Sequence, residues 1–290
     1  MKHEAFIAHV LSTPWALQRE YMVAYAGVLA RNLSGDKAEY QAKARPAAQP
    51  ARGGIAVIPV TGVVMQRANM MQDICGGAST QQISAALREA LADETVSQIL
   101  LDIDSPGGSV YGVGELAAEI YAARSAKPIV AVSNSLAASA AYWIGSAASE
   151  FYVTPGGEVG SIGVWQAHED WSKALDEAGV KTTLISAGKF KVEGNPYEPL
   201  SQEARDFMQL RTDEYYSAFT KAVAKGRGVG IDAVRSGMGQ GRVLGADAAL
   251  AENMVDGIAT FDEVVKKMQR AAKPARSALK AAQNRLALIQ

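Results

Sequence analysis

Short apolar runs alternate with stretches of helical periodicity through the middle of the chain. Runs rich in β-branched residues are typical of buried strands, and the good helix formers between them are typical of amphipathic helices. Strands are predicted at 54–60, 97–103, 128–133 and 150–153, and helices at 80–93, 112–124 and 139–148. Because strands and helices alternate, the sequence predicts an α/β fold with parallel strands and crossover helices.

The region before the first of these strands has a different pattern. Residues 1–40 predict an N-terminal helical segment, with a break at Pro14 and an amphipathic helix from Trp15 to about residue 33. Residues 41–53 contain two prolines and two arginines among alanines and predict an exposed linker. The main domain is therefore predicted to begin at residue 54.

The predicted main domain extends over 54–268 and ends in several helical elements. A long helix is expected from residue 201 to about 226, and a strand at 254–258 lies between two short helices. Residues 269–290 are assigned to a basic tail, because seven basic residues and no acidic residue occur in 266–290. The tail is interpreted as a solvated helix, with a self-cleavage segment or the start of a scaffold-like region as alternatives.

Composition excludes several classes of protein. The chain has 290 residues and is 48% hydrophobic, which is enough for one large core with appendages. A formal net charge of −1 argues against nucleic-acid binding. The single Cys75 excludes an intramolecular disulfide. No apolar stretch reaches the roughly 18 residues of a membrane span, and Glu4 and Pro14 do not suit a signal peptide, so no membrane anchor is expected.

Ser139 is the candidate nucleophile. It lies in the small-residue run LAASAAY at 136–142, where the pattern changes from strand to helix. At a helix N-terminus, free backbone N–H groups and the positive end of the helix dipole favour a developing oxyanion. The alanines on either side leave room for a substrate backbone.

A serine hydroxyl needs a base before it can attack an amide, and the chain has few candidates. His168 lies at the polar start of a helix, where a solvated or capping role is the better interpretation, so a Ser-His-Asp triad is disfavoured. A lysine can act as the base if burial lowers its pKa from about 10.4 to about 7–8, at a cost of roughly 3–4 kcal/mol. Lys189 and Lys191 would project to the same side of an extended segment, so geometry leaves both open.

The SPGG run at 105–108 is the candidate oxyanion hole. Adjacent glycines let the main chain approach a substrate closely, so Gly107 can support the turn while the N–H of Gly108 points into the site. The N–H of Ala140, directly after the nucleophile, would be the second donor. Taken alone, the run could also be an ordinary turn between a strand and a helix.

No metal or cofactor is predicted. Asp102 and Asp104 could suggest metal binding or acid–base chemistry. Aspartates at the end of a strand more often bond to the loop backbone, which is the interpretation preferred here.

Four motifs in order resemble the signal peptide peptidase A family of Ser/Lys proteases. They are SPGG at 105–108, ASA at 138–140, GSIGV at 160–164 and SAGKFK at 186–191. The run KVEGNPY at 191–197 is most similar to the phage capsid-maturation branch, of the lambdoid head protein C type. The similarity covers about residues 54–268. Many cellular members have glycines after the nucleophile where this chain has Ala140 and Ala141, but an alanine still donates its N–H.

The resemblance implies a fold and completes the candidate site. It implies the spiral ββα arrangement of Clp proteases and crotonases, in a single unit. It selects Lys191 over Lys189 as the base and gives Ser161 the role of a hydroxyl that helps to hold the lysine.

The resemblance also implies a function. The expected protein is a serine endopeptidase with a Ser/Lys dyad that cleaves phage scaffold or portal proteins or itself, as a ring-like homo-oligomer in the host cytoplasm or the prohead. The alternatives are a soluble peptidase for signal-peptide remnants and a catalytically idle crotonase-like assembly protein. The small residues around Ser139 predict cleavage after small apolar residues. Self-cleavage is expected in 41–53 or 273–290.

Overall fold

A mostly parallel sheet forms the centre of the fold. The computed structural model of the chain describes residues 13–18, 21–22, 49–51, 54–67 and 77–272. The strands within these ranges are β1 (Trp15–Leu17), β2 (Gln49–Ala51), β3 (Ile55–Thr61), β4 (Val64–Met65), β5 (Ala78–Ser79), β6 (Gln98–Ser105), β7 (Gly107–Ser109), β8 (Ile129–Ala138), β9 (Glu150–Val153), β10 (Glu158–Gly160), β11 (Val243–Gly245) and β12 (Gly257–Ile258). The helices are α1 (Thr80–Ala92), α2 (Val113–Ala123), α3 (Ala140–Gly145), α4 (Ser172–Glu177), α5 (Gln202–Arg227), α6 (Ile231–Ser236), α7 (Ala246–Ala251) and α8 (261–272), with a 3₁₀ turn at Met238–Gly241.

These strands form two separate sheets. The larger has the order β11-β10-β8-β6-β3-β2, with β9 paired to β8 and β12 paired to β9. Its inner pairs are parallel, and β2 and β11 join antiparallel at its edges. The smaller sheet has the order β1-β7-β4-β5. The predicted α/β class, with parallel strands and crossover helices, is confirmed.

Strand β8 is longer than predicted and brings the chain directly to Ser139. The predicted strand ends at residue 133 because Asn134 and Ser135 are polar, and both side chains are indeed exposed. The strand nevertheless continues past them, because it changes partner. Its first half pairs with β9 and its second half, 136–138, pairs with β10.

Two aromatic residues hold α3 against the sheet and the long helix α5. The buried hydroxyl of Tyr142 donates a hydrogen bond to the carbonyl of Met254 at 2.9 Å. Trp143 stacks on Phe219 of α5, with ring centroids 4.6 Å apart and 6° between the planes. Aromatic pairs of this kind add to the burial energy of the rings. The helix that follows Ser139 is therefore fixed from two directions.

The N-terminal prediction was wrong at two places. Trp15, expected to start an amphipathic helix, lies in the strand β1, which pairs antiparallel with β7. Residues 49–51, expected in an exposed linker, form the strand β2 along β3. In both cases pairing with another strand outweighs the local pattern, with the distant β7 for β1 and with the adjacent β3 for β2. The remainder of the predicted helix to residue 33 lies outside the described residues.

Several other expectations also fall outside the described part of the chain. They concern Cys75, most of 41–53, and the tail 273–290. Among the helices that are described, none combines the length and apolar character needed to cross a membrane.

An ion pair fastens the end of α5 to the sheet and gives a pH-dependent prediction. Arg227 donates two hydrogen bonds to Asp256, at 2.8 and 2.9 Å, and the N–H of Phe151 donates to the same carboxylate at 2.7 Å. Burial would raise the pKa of Asp256, but these hydrogen bonds and the charge of Arg227 together lower it. A lowered pKa means that the pair stabilises the fold at pH values above the ordinary value of about 3.9 and ceases to do so as the pH falls through the folded value.

Asp256→Asn is therefore expected to lower the free energy of unfolding at neutral pH by about 1–3 kcal/mol, since the 6% exposed Arg227 loses its charged partner. The difference from the wild type should shrink below about pH 4. Urea unfolding at pH 7 and at pH 3.5 measures it. An equal difference at both pH values would contradict this role of the carboxylate.

Candidate active site

Ser139 stands on a strained turn between β8 and α3. Its φ of 55° and ψ of −116° are unusual for a residue with a side chain, and its N–H donates to the carbonyl of Gly160 at 2.7 Å. Such backbone strain costs of order 1–3 kcal/mol and clusters at functional sites. The side chain is only 1% exposed, and its hydroxyl donates to the carbonyl of Gly163 at 3.4 Å. The turn thus holds one serine oxygen in a fixed, enclosed position.

The glycines of the SPGG run pack directly against this serine. A Cβ on Gly107 would stand 2.9 Å from the Cβ of Ser139, and a Cβ on Gly108 would stand 1.8 Å from the carbonyl oxygen of Val64. Gly107 also has a φ of 99°, which side chains rarely adopt. Ser105 fixes the turn, because its hydroxyl donates to the carbonyl of Gly62 at 2.6 Å and accepts the N–H of Gly107 at 3.2 Å. Only glycine fits at 107 and 108.

Two predicted oxyanion donors lie beside Ser139. Ala140 is the first residue of α3, so its N–H has no acceptor within the helix. Gly108 belongs to β7, the strand that follows the turn from β6. Because β6 and β8 are parallel neighbours, the turn after β6 and the turn after β8 meet at one edge of the sheet. This is why residues some thirty positions apart converge.

Ser161 is also brought next to Ser139. The register places Gly160 opposite Ala138 in the pair β10–β8, so the residues that follow them are neighbours. Ser161 has a φ of 54° and its N–H donates to the carbonyl of Arg242 at 2.8 Å. The structure thus groups Gly107, Gly108, Ala140 and Ser161 around the candidate nucleophile.

Lys191 is not brought to Ser139. It lies at the end of a continuous exposed stretch, 176–191, and no hydrogen bond or ion pair joins it to the serine. Lys189 forms an ion pair with Glu203 at 2.8 Å, with both side chains at the surface, and its ammonium lies 4.4 Å from the ring of Phe190. The segment is turned rather than extended, so the extended geometry assumed from the sequence does not apply to the two lysines.

The only histidine of the described residues is not placed for catalysis either. His168 lies 3.0 Å from the carbonyl oxygen of Asn195 through Nε2, with no hydrogen bond to Ser139. Asp104 is exposed at the end of β6. Across the ranges that the structure describes, no group of three His, Cys, Asp or Glu residues is placed to hold a metal ion.

An open cleft of about 620 Å³ lies beside the site. Its lining includes Trp165, Gln166 and Met208, and the amide of Gln166 donates to the carbonyl of Met208 at 2.9 Å. Ser139 is not among its lining residues.

Sequence reasoning missed the strand β1 at the site. The N–H of Trp15 donates to the carbonyl of Trp165 at 2.9 Å, and the N–H of Trp165 donates back at 3.0 Å. The indole Nε1 of Trp165 donates to the carbonyl of Leu17 at 2.8 Å. The apolar run WAL after Pro14 was the available signal for a strand, but it was assigned to an amphipathic helix.

These features define a hydrolase-like site in a mostly parallel α/β fold, and comparison with known proteins gives the family. The profile described as "Peptidase family S49" matches residues 122–274, just over half of the chain. The chain therefore belongs to peptidase family S49. The predicted resemblance to the signal peptide peptidase A family is confirmed, and the α/β structure is consistent with its Clp/crotonase-like fold.

Curated relatives include two phage proteins. The "Head-tail preconnector protein GP5" of Enterobacteria phage P21 is 40% identical over 223 residues, which cover 75% of this chain and 44% of that protein. The "Capsid assembly protease C" of Escherichia phage lambda is 34% identical over 226 residues, 78% of this chain and 51% of that protein. The "Putative signal peptide peptidase SppA" of Enterococcus faecium is 27% identical over 194 residues, 67% of this chain and 56% of that protein. The chain thus spans about half the length of these relatives.

Proposed function

We propose that the protein is a serine endopeptidase that uses a Ser139–Lys191 dyad in phage head assembly. The observation that carries the proposal is Ser139 itself, a buried serine on a strained turn that packs against Gly107. A structural serine would not require this strain, whereas a nucleophile gains a fixed oxygen beside two backbone N–H donors.

The proposed reaction needs a base and two donors. Ser139 Oγ attacks the substrate carbonyl carbon while neutral Lys191 Nζ takes its proton, and the N–H groups of Gly108 and Ala140 bind the oxyanion. The C–N bond then breaks, and the lysine returns the proton to the leaving amine. Water hydrolyses the acyl-serine by the same route, which frees Ser139.

Lys191 must come to Ser139 from its exposed position. The stretch 176–191 carries exposed apolar side chains, with Ile185 96% exposed and Phe190 52% exposed. Exposed apolar side chains on one segment mark a surface that a partner covers. We therefore infer that a second copy of the chain covers this segment, and that Lys191 enters a site when the copies assemble. Ser161 is then positioned to hold the lysine.

The substrates are proposed from the phage relatives. The lambda relative is named a capsid assembly protease and the other a head-tail preconnector protein, so scaffold or portal proteins, or the chain itself, are the proposed substrates. A peptidase for signal-peptide remnants is the second candidate, because the Enterococcus relative is named a putative signal peptide peptidase. Gene neighbours that encode portal and capsid proteins would favour the first.

Cleavage-site mapping tests the proposed activity. Alanines at 138, 140 and 141 and the glycine at 107 surround Ser139 and are buried, which leaves limited room for the residue before the cut bond. Incubation with a permanently unfolded protein should therefore give cuts after alanine, glycine or serine. The same protein in its native state, before it is unfolded, is the control and should resist cleavage. Cuts mainly after charged or aromatic residues would contradict the proposed site.

A further inference from the structure

We propose that residues 14–18 occupy the substrate groove of the chain's own active site as a peptide substrate, and that the Ala16–Leu17 bond is a self-cleavage site. This inference rests on the proposed peptidase activity. It assigns a bond that lies outside the two segments expected from the sequence to be cleaved.

The first observation is the register of β1 along the glycine strand β7. The two strands are antiparallel, with Ala16 opposite Gly108. Gln18 N–H donates to the carbonyl of Pro106 at 3.1 Å, and Val110 N–H donates to the carbonyl of Pro14 at 3.5 Å. Hydrogen-bonded pairs alternate in an antiparallel ladder, so Ala16 and Gly108 form the bonded pair between these two. The Ala16 carbonyl therefore lies on the N–H that is proposed to bind the oxyanion.

The second observation is that the same strand is held on its other edge. Trp15 exchanges two main-chain hydrogen bonds with Trp165, at 2.9 and 3.0 Å, and the Trp165 indole donates to the Leu17 carbonyl at 2.8 Å. A peptide that adds as a strand between two edges gains its affinity from the main chain, and alternate side chains enter pockets. A substrate of an endopeptidase is bound in the same way.

The third observation is that the Ala16 carbonyl and Ser139 pack against the same glycine. The point where a Cβ of Gly107 would stand lies 2.2 Å from the Ala16 carbonyl oxygen and 2.9 Å from the Cβ of Ser139. The Ala16 carbonyl oxygen and the Ser139 side chain thus both lie against Gly107. Ala16 is small and fully buried, which agrees with the limited space expected for the residue before the cut bond.

Cleavage of the Ala16–Leu17 bond proceeds through an acyl-serine. Ser139 Oγ bonds to the Ala16 carbonyl carbon, and the base takes the hydroxyl proton. The bond from that carbon to the Leu17 nitrogen breaks, and the nitrogen receives the proton. Water then hydrolyses the ester, which leaves a carboxylate at Ala16, a new N-terminus at Leu17 and free Ser139. Until residues 14–16 leave, no other peptide can occupy the groove.

The test follows the intact mass of full-length wild type, Ser139→Ala, Ala16→Glu and Ala16→Ser over time, with hydrolysis of an added unfolded protein measured in the same samples. Wild type should lose residues 1–16 at a rate that does not change with dilution as long as the copies stay assembled, while Ser139→Ala keeps them. Ala16→Glu should slow the loss by at least about 10-fold, and the small control Ala16→Ser should not. A cooperative urea unfolding transition of Ala16→Glu would show that this variant is folded.

Two outcomes overturn the inference in different ways. Wild type that hydrolyses the added protein but keeps residues 1–16 would exclude the self-cleavage and leave the proposed function intact. Wild type that hydrolyses neither would overturn the proposed function and the inference with it. Loss of residues 1–16 from Ser139→Ala as well would assign the cut to another protease and overturn the inference.

Discussion

Replacement of Ser139 by alanine is expected to lower kcat for peptide hydrolysis by at least about 10⁴-fold, because the variant has no oxygen to form the acyl intermediate. Alanine has nearly the same size and leaves the turn between β8 and α3 in place, so the free energy of unfolding should change little. Steady-state hydrolysis of a fluorogenic peptide with a small residue before the cut bond measures the loss.

The matched control is Ser146→Ala, a second buried serine just after the same helix. Its hydroxyl donates to the carbonyl of Trp143 at 3.0 Å, and the residue lies at the opposite end of α3 from Ser139. This variant should keep wild-type kcat. Near wild-type turnover by Ser139→Ala would remove the serine from the mechanism, whatever the control shows.

Lys191→Ala is expected to lower kcat by about 10²–10⁴-fold, the usual contribution of a general base. Lys189→Ala is the control and should have little effect on kcat, because Lys189 pairs with Glu203 at the surface. Loss of this pair should also change the free energy of unfolding little, since surface ion pairs contribute about 0–1 kcal/mol to it. The loss on combining Ser139→Ala with Lys191→Ala should be much smaller than the product of the two single losses, since the residues act as a unit. An inactive Lys189→Ala beside an active Lys191→Ala would reverse the choice of base.

Mixing the two inactive variants asks which copy supplies the lysine. Ser139→Ala still carries Lys191, and Lys191→Ala still carries Ser139. If the exposed segment 176–191 reaches a neighbouring copy, the mixture should regain part of the wild-type activity. A mixture that stays inactive, while each variant still forms the wild-type oligomer, would contradict assembly across copies and leave a movement within one chain.

The centre of the site could be predicted from local signals. Gly107, Gly108, Ser139 and Ala140 each lie where a buried strand ends, and the ends of parallel neighbours meet at one sheet edge. The small residues that allow this close approach are visible in the sequence. Local pattern and tertiary structure therefore agree at these positions.

The remainder depended on distant partners. Trp15 to Leu17 begin a stretch whose sequence pattern predicts a helix, and pairing with Gly107 to Ser109 and with Trp165 makes them a strand. The extension of β8 past Asn134 depended in the same way on β10. The sequence of the segment around Lys191 predicts neither its exposed position nor its role as the base. The choice of Lys191 over Lys189 came from the resemblance alone.

The most direct test of the central claim is to identify the residue that becomes acylated. Wild-type enzyme is quenched with acid during turnover of a peptide ester and digested, and the acylated peptide is identified by mass spectrometry. The account predicts one acyl group, on the oxygen of Ser139, and none in Ser139→Ala. An acyl group on any other residue, with Ser139 unmodified during rapid turnover, would contradict it.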